Sequence, residues 1–349
     1  SIFDAIDRIR YEVTLIGIDR DGRWHLLEET QFRLLTDQAQ AALKNGGREV
    51  ALLPAPNMGQ LLDRHDPQVA TQRVDVVFPI LHGTYGEDGT IQGFLDLADI
   101  PYVGAGVMGS AVGMDKDVQK RLLQAAGIAV APFVTVRHRE WAQQPLALTE
   151  RVRSLGLPLF VKPANLGSSV GITKVKSSDG LMAAVEQAFA YDTKIVIEKG
   201  IDAREIECAV LGNDEPIASV PGEVCPSEDF YSYEAKYIDE NGARLLIPAP
   251  LDADLTRQIQ SLSVRVFQIL ECSGMARVDC FIERGSGKIY LNEINTLPGF
   301  TSISMYPKLW EASGIAYSDL IGRLIELAIE RQTQRRQLKR SYLPTTQRN

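Results

Sequence analysis

ARVDCFIERGSGKIYLNEIN, residues 276–295, reads as two strands joined by a tight turn at Arg284-Gly285-Ser286-Gly287. Arg277 and Asp279 lie two apart, as do Glu293 and Asn295, so in strands each pair shares a face. Two registers are open. If Asp279 lies opposite Glu293, Arg277 falls opposite Asn295 and all four share one face. The other register sets Asp279 against Asn292, and apolar patterning does not separate the two. Opposed carboxylates weaken a sheet, and a divalent cation removes that penalty. Mg²⁺ takes hard oxygen ligands, usually one or two carboxylates plus phosphate. Asp279, Glu293 and the Asn295 amide oxygen supply that set. Arg277 beside them suits an oxyanion or a transferring phosphoryl group. The Pro298-Gly299 pair and TSIS (301–304) that follow form a loop whose backbone can come close to such a site.

A second stretch points the same way. VKPANLGSSVGI (161–172) delivers Lys162 on a strand and then Gly167, Ser168, Ser169 and Gly171 in a loop. Glycines let backbone N–H groups approach phosphate oxygens, and serine hydroxyls add donors. DKDVQKRLLQAAG (115–127) is a helix with Asp115 as N-cap and Gly127 as stop. Lys116 then opposes the helix dipole in the first turn, a cost of about 0.3–1 kcal/mol that a bound polyphosphate would reverse. GAGVMG (104–109) fits the dinucleotide spacing but lacks the acidic residue expected about 20 positions on, since 124–131 reads QAAGIAVA. A dehydrogenase is disfavoured on that ground, and no Walker A sequence is present.

Around these motifs the chain changes character. EVTLIGI (12–18), VDVVFPIL (74–81) and PYVGAG (101–106), with helical stretches between them, predict a parallel α/β domain over residues 1–104. From about residue 130 the pattern is strand-rich with helices at 178–190, 252–271 and 318–331, an α+β arrangement. We divide it into a central subdomain 105–201, a C-terminal subdomain 202–338 and a tail 339–349. The basic stretch RQTQRRQLKRSYLPTTQRN (331–349) reads as a frayed surface end. The 349 residues carry a net charge of −8, which argues against nucleic acid as a partner. No apolar run is long enough for a membrane span, and nothing at the start reads as a signal peptide. The four cysteines (Cys208, Cys225, Cys272, Cys280) lack metal-ligand spacing and read as reduced thiols of a cytoplasmic protein.

Taken together, HGTYGEDG, MDK, VKPANLGSSVGI, IEKGIDAREIECAVLG, YSYEAKY, GMARVD and NEINTLPGFTSISMYP, within a resemblance that spans residues 74–330, closely resemble the D-alanine–D-alanine ligase family of ATP-grasp enzymes. The resemblance implies three domains with ATP between the central and C-terminal ones, and a homodimer. It implies that Lys116 and Lys162 bind ATP phosphates beneath a mobile loop carrying Ser168 and Ser169. Glu198, Lys199 and Ile201 would meet adenine and Glu205 the ribose. Asp279, Glu293 and Asn295 would hold two Mg²⁺ ions, with Mn²⁺ as a substitute and a monovalent cation such as K⁺ as a further cofactor. Arg277 and the Gly299 N–H would form the oxyanion hole. Ser304, Met305 and Lys236 would receive the second substrate, Lys236 also touching ATP, while Tyr237 closes the site with Ser168 and His82 and Glu87 line it. The implied reaction joins two D-alanines through an acylphosphate and a tetrahedral intermediate. The alternatives are a D-alanine–D-lactate ligase, which the YEAKY segment around Tyr237 disfavours, and another ATP-grasp carboxylate–amine ligase. The family opens with a glycine-rich strand–loop carrying Ser-x-Glu-His; this chain starts after that point, and we expect the sequence to be truncated there.

Overall fold

The computed structural model describes residues 1–33, 47–53, 59–66, 70–167, 169–226 and 243–339. Its internal contacts divide the chain into two units. One holds Ile2–Phe78, Gly93–Val103 and Ile321–Asn349; the other holds Ser1, Pro79–Gln92 and Gly104–Leu320.

The first unit is built on β1 (Leu15–Ile18), β2 (Trp24–Leu27), β3 (Arg48–Leu52), β4 (Gln60–Asp63) and β5 (Ala70–Arg73). They pair in sequence order and are antiparallel throughout. This corrects the parallel sheet expected from the apolar runs. A parallel pair needs a crossover of a dozen or more residues, and only Asp19–Arg23 lies between β1 and β2. Gly22, at φ +81°, makes that turn. Within this unit's described residues, parallel pairing appears as the single bridge Val77–Tyr102, which joins the two other predicted runs. The basic stretch from Arg331 also departs from expectation. It continues the helix Tyr317–Gln337 rather than fraying. Arg331 lies over the Tyr102 ring and donates to the Tyr102 carbonyl at 2.8 Å, and Arg335 and Arg336 pair with Asp96 and Asp99. A basic helix end finds acidic partners distant in sequence, which composition does not reveal. The remainder of the basic tail, 340–349, lies outside the described residues.

The second unit carries two sheets. The smaller has β6 (Phe133–Arg137), β7 (Leu159–Pro163), β8 (Thr173–Val175) and β9 (Lys194–Lys199) in the order β6-β9-β7-β8. Val134, Val136, Leu159, Val161, Ile195 and Ile197 enter a core with the helices Pro145–Arg153 and Leu181–Phe189. Period-two alternation therefore puts Thr135, Lys162 and Glu198 on the opposite face. The larger sheet has β10 (Ala203–Gly212), β11 (Ile217–Ala218), β12 (Gly222–Pro226), β13 (Ala243–Leu246), β14 (Gly274–Glu283) and β15 (Ile289–Asn295), ordered β13-β12-β10-β14-β15 with β11 beside β10. Ile206, Cys208, Val210, Ala276, Val278, Cys280 and Ile294 pack beneath it with the helix Ala253–Ile269. Burial of one face leaves the other to Glu205, Glu207, Arg277, Asp279, Glu293 and Asn295. The apolar set thus decides where the polar set points.

The glycines of GAGVMG serve packing. A Cβ at Gly109 would lie 2.5 Å from the Glu271 carbonyl, so only glycine lets the helix Val107–Met114 come this near. The next helix, Lys116–Ala125, starts as expected: Asp115 caps it, accepting from the N–H groups of Asp117 and Val118. Lys194 of β9 then clamps that start. Its ammonium reaches both Asp115 oxygens at 2.7 and 2.5 Å and Asp117 at 3.3 Å. We expect Lys194→Met to destabilise the protein in urea titration by about 3 kcal/mol, the low end for breaking a buried pair. Asp117 retains Arg121 and Thr135, which is why the loss stays at that end. Unchanged stability would show the clamp to be energetically idle.

Candidate active site

The hairpin resolves its own ambiguity. Asp279 pairs with Glu293 and Arg277 with Asn295, and a bulge between Asp279 and Cys280 lets Cys280 pair with Leu291, leaving Asn292 extra. A bulge that sets two residues against one re-aims the side chains beyond it. Leu291 can then stay in the core while Glu293 still faces Asp279 across the strands. Without the bulge, period-two alternation would give Glu293 the face of Leu291 and turn it to the core side. The Asn292 side-chain oxygen is buried and has no hydrogen-bond partner among the described residues.

Arg277 is the hub of this face. Its Nε and Nη2 donate to the two oxygens of Asp279 at 2.8 and 2.7 Å, and Nε also lies 2.9 Å from Glu207. Glu207 sits directly opposite Asp279 on β10. Burial works against the guanidinium charge, but Asp279, Glu207 and Glu293 outweigh it and raise its pKa further. Glu207 was missed in the sequence, although its period-two spacing from Glu205 carried the signal.

The lysines form a neighbouring cluster. Lys116 donates to the Leu166 carbonyl at 2.6 Å and lies 3.9 Å from Glu293, so it joins the phosphate-type loop to the hairpin. Lys162 donates to Glu198 at 2.9 Å, and Lys120 lies 3.2 Å from the other Glu198 oxygen. All four side chains are buried to 10% exposure or less. Burial pulls Lys116 and Lys120 below the usual lysine value. Burial also opposes the charge on Lys162, but Glu198 and Glu293 win and raise its pKa. Glu198 resists burial because two ammoniums hold it down to about 2. Three buried ammoniums share one buried carboxylate and a more exposed one, an imbalance that an anionic ligand would relieve. Lys120 was also missed, although it stands four residues after Lys116 and hence on the same helix face.

Glu87 closes the cluster from the segment Pro79–Gln92. Burial, then the charge of Glu293, push its carboxyl up to about 7 against the pull of the Gly83 N–H, Lys116 and Arg277. The Gly83 N–H donates to it at 2.6 Å, and a Cβ on Gly167 would lie 3.5 Å from the same oxygen. The loop of 161–172 therefore runs past Glu87, with Ser169 in the left-handed region at φ +60°. At the far end of the hairpin, Ser304 Oγ accepts from the Thr301 N–H at 3.1 Å, and a Cβ on Gly299 would meet that hydroxyl at 3.1 Å. Ser304 precedes the helix Met305–Ala312, whose Met305 is buried. Asn295 Oδ1 accepts from the Leu297 N–H at 3.1 Å, which orients its amide. Lys199 is exposed, Ile201 and Glu205 are half-buried, and His82 is exposed. Ser168, Lys236 and Tyr237 lie outside the described residues. The geometry thus brings Arg277, Asp279, Glu293, Lys116, Lys162, Glu198, Glu87 and Gly167 together.

Sequence profiles extend that geometry to a family. The D-ala D-ala ligase N-terminus matches residues 1–105, and the D-ala D-ala ligase C-terminus matches residues 122–326. The chain belongs to the D-alanine–D-alanine ligase family. The D-alanine–D-alanine ligase of Shouchella clausii (strain KSM-K16) is 53% identical over 342 residues, which are 98% of this chain and 92% of that protein. D-alanine–D-alanine ligase A of Escherichia coli (strain K12) is 50% identical over 332 residues, 95% of this chain and 90% of that protein. Among solved structures, the D-alanine-D-alanine ligase of Coxiella burnetii superposes with TM-score 0.81 at 37% identity, covering 96% of this chain and 90% of that one. The VanG D-Ala:D-Ser ligase of Enterococcus faecalis gives TM-score 0.83 at 36% identity, covering 94% and 92%. The fold is the ATP-grasp fold that the motifs led us to expect, with helices and antiparallel sheets of α+β character. Membership in the D-alanine–D-alanine ligase family accounts for why a buried lysine cluster and a carboxylate hairpin meet: its chemistry needs a nucleotide's phosphates next to a carboxylate activated for attack. Among the described residues no helix is long and apolar enough to cross a membrane.

Proposed function

We propose that this chain joins two D-alanines into D-alanyl-D-alanine at the expense of ATP. The observation that carries the reading is the pairing of Asp279 with Glu293 and of Arg277 with Asn295 on one sheet face, 3.9 Å from a buried lysine. Names borne by relatives at 50% identity or more support the substrate.

Asp279, Glu293 and the amide of Asn295 are the residues that would hold Mg²⁺. The donor set fits. Two carboxylates and an amide leave room for phosphate oxygens, as Mg²⁺ prefers. No three His, Cys, Asp or Glu side chains form a cage of their own among the described residues. When bound, the metal neutralises charge on the transferring phosphoryl group. Asp279 is held ready for this by its two bonds to Arg277. A second Mg²⁺ ion, Mn²⁺ as substitute, and K⁺ rest on the family resemblance, as do the homodimer and the cytoplasmic location.

Little covalent work falls to the protein, so position and charge dominate. Lys116 and Lys162 meet the phosphates, and the loop around Gly167 and Ser169 brings N–H groups over them. The segment that carries Glu198, Lys199 and Ile201 meets the base, and Glu205 the ribose. Arg277 and the Gly299 N–H face the oxyanion formed when the second amine attacks the D-alanyl phosphate. Ser304 and Met305, with Lys236, receive the second D-alanine. Ser168, Tyr237, His82 and Glu87 close the first side and keep water from the acylphosphate.

The test incubates full-length protein with ATP, Mg²⁺ and D-alanine, following ADP release and dipeptide mass. We expect both to appear together and to require D-alanine. D-Serine and D-lactate are offered as competing acceptors near neutral pH, since the structurally similar VanG is a D-Ala:D-Ser ligase. Either outcompeting D-alanine would overturn the substrate assignment, and absence of ADP would overturn the activity.

A further inference from the structure

Lys120 has no part in the roles assigned above, yet it is among the most deeply buried charges in the protein, at 1% exposure. Its ionic partner is Glu198, where it takes the oxygen that Lys162 leaves, at 3.2 Å against 2.9 Å. The two lysines come from different elements, Lys120 from the helix Lys116–Ala125 and Lys162 from β7. Phe133 and Phe160 stand directly opposite Glu198 on the flanking strands. Lys120 lies 5.9 Å from the Phe133 ring centre and Lys162 5.9 Å from that of Phe160, which Lys174 also approaches at 5.8 Å. Glu198 is thus held symmetrically, with one oxygen for each lysine.

We propose that Lys120 is a positioning residue for nucleotide binding: by occupying one oxygen of Glu198, it keeps that carboxylate from neutralising Lys162. This rests on the nucleotide reading above and adds a residue to it. With Lys162 and Glu198 alone the pair is neutral, and a free carboxylate oxygen would turn toward the same ammonium. With Lys120 present the triad carries one net positive charge, and Lys162 is the member whose strand runs directly into the loop that carries Gly167 and Ser169. Excess buried charge is costly without its ligand and is repaid when triphosphate binds, so stability and affinity should move in opposite directions.

The experiment measures ATP and D-alanine kinetics and apo melting for Lys120→Met and for Lys120→Met/Glu198→Gln. We expect K120M to raise the KM for ATP by about tenfold or more, with the D-alanine KM unmoved, and the apo protein to melt no lower than the parent. Adding Glu198→Gln removes the carboxylate that neutralises Lys162 and should recover part of the ATP affinity. A merely structural lysine would lower the melting point and give no recovery. An ATP KM within about twofold of the parent's, or a double variant no better than K120M, overturns the proposal. Should K120M not fold, K120Q, which keeps a donor but no charge, is read by the same criterion. ATP binding by the parent tests the nucleotide reading itself, so the two failures are distinguishable.

Discussion

Arg277→Met is expected to lower kcat by about 10²–10³-fold, the usual loss when one preorganised donor is removed from an oxyanion site. The same change should cost stability, because Asp279 and Glu207 are 2% and 6% exposed and both lean on this guanidinium. Removing one member of a buried ion pair typically costs about 3–5 kcal/mol. Arg277→Lys separates the two effects. It restores a charge for the carboxylates but cannot bind Asp279 through two nitrogens at once, so stability should return further than kcat does. Steady-state kinetics and urea titration on all three proteins measure this. A methionine variant retaining a tenth or more of kcat would remove Arg277 from the chemistry.

Lys162→Met should behave differently. Its kcat/KM for ATP is expected to fall by about 10²-fold, equivalent to roughly 2.7 kcal/mol of lost transition-state binding. Stability should change by less than about 1 kcal/mol, since a buried charge that keeps a partner is not orphaned. Glu198 retains Lys120 at 3.2 Å, and one of three crowded ammoniums is gone. Isothermal titration with ATP and thermal melting test the two halves. A large fall in melting point with ATP affinity intact would make Lys162 a structural residue and would undercut the phosphate assignment.

The contrast between these variants shows how much of the site was legible. Residues spaced by two in recognisable strands were readable: Arg277 with Asp279, Glu293 with Asn295, and Lys162 ahead of its glycine loop. Local signals also placed the helix start at Asp115, because a cap is made by residues next to it in the chain. Glu207 and Lys120 escaped notice although both have short-range spacing to a named residue. Nothing local says that Glu207 will meet an arginine on the neighbouring strand, or that Lys120 will meet a carboxylate 78 positions on. The same holds for the antiparallel meander of β1 to β5, where short apolar runs are compatible with either strand direction and the connection lengths decide.

Spacing by two settled, from sequence, that Arg277 with Asp279 and Glu293 with Asn295 would each share a strand face, and burial of Ile206, Val278 and their neighbours leaves those residues the opposite one. The family and its chemistry were equally readable there, because the residues that bear them are contiguous motifs. The register of the hairpin was not. Apolar patterning is compatible with either pairing, and the observed one accommodates one extra residue, Asn292, as a bulge. That choice, and the sharing of Glu198 between two lysines, are settled by packing between segments far apart in the chain, and so they belong to the tertiary structure alone.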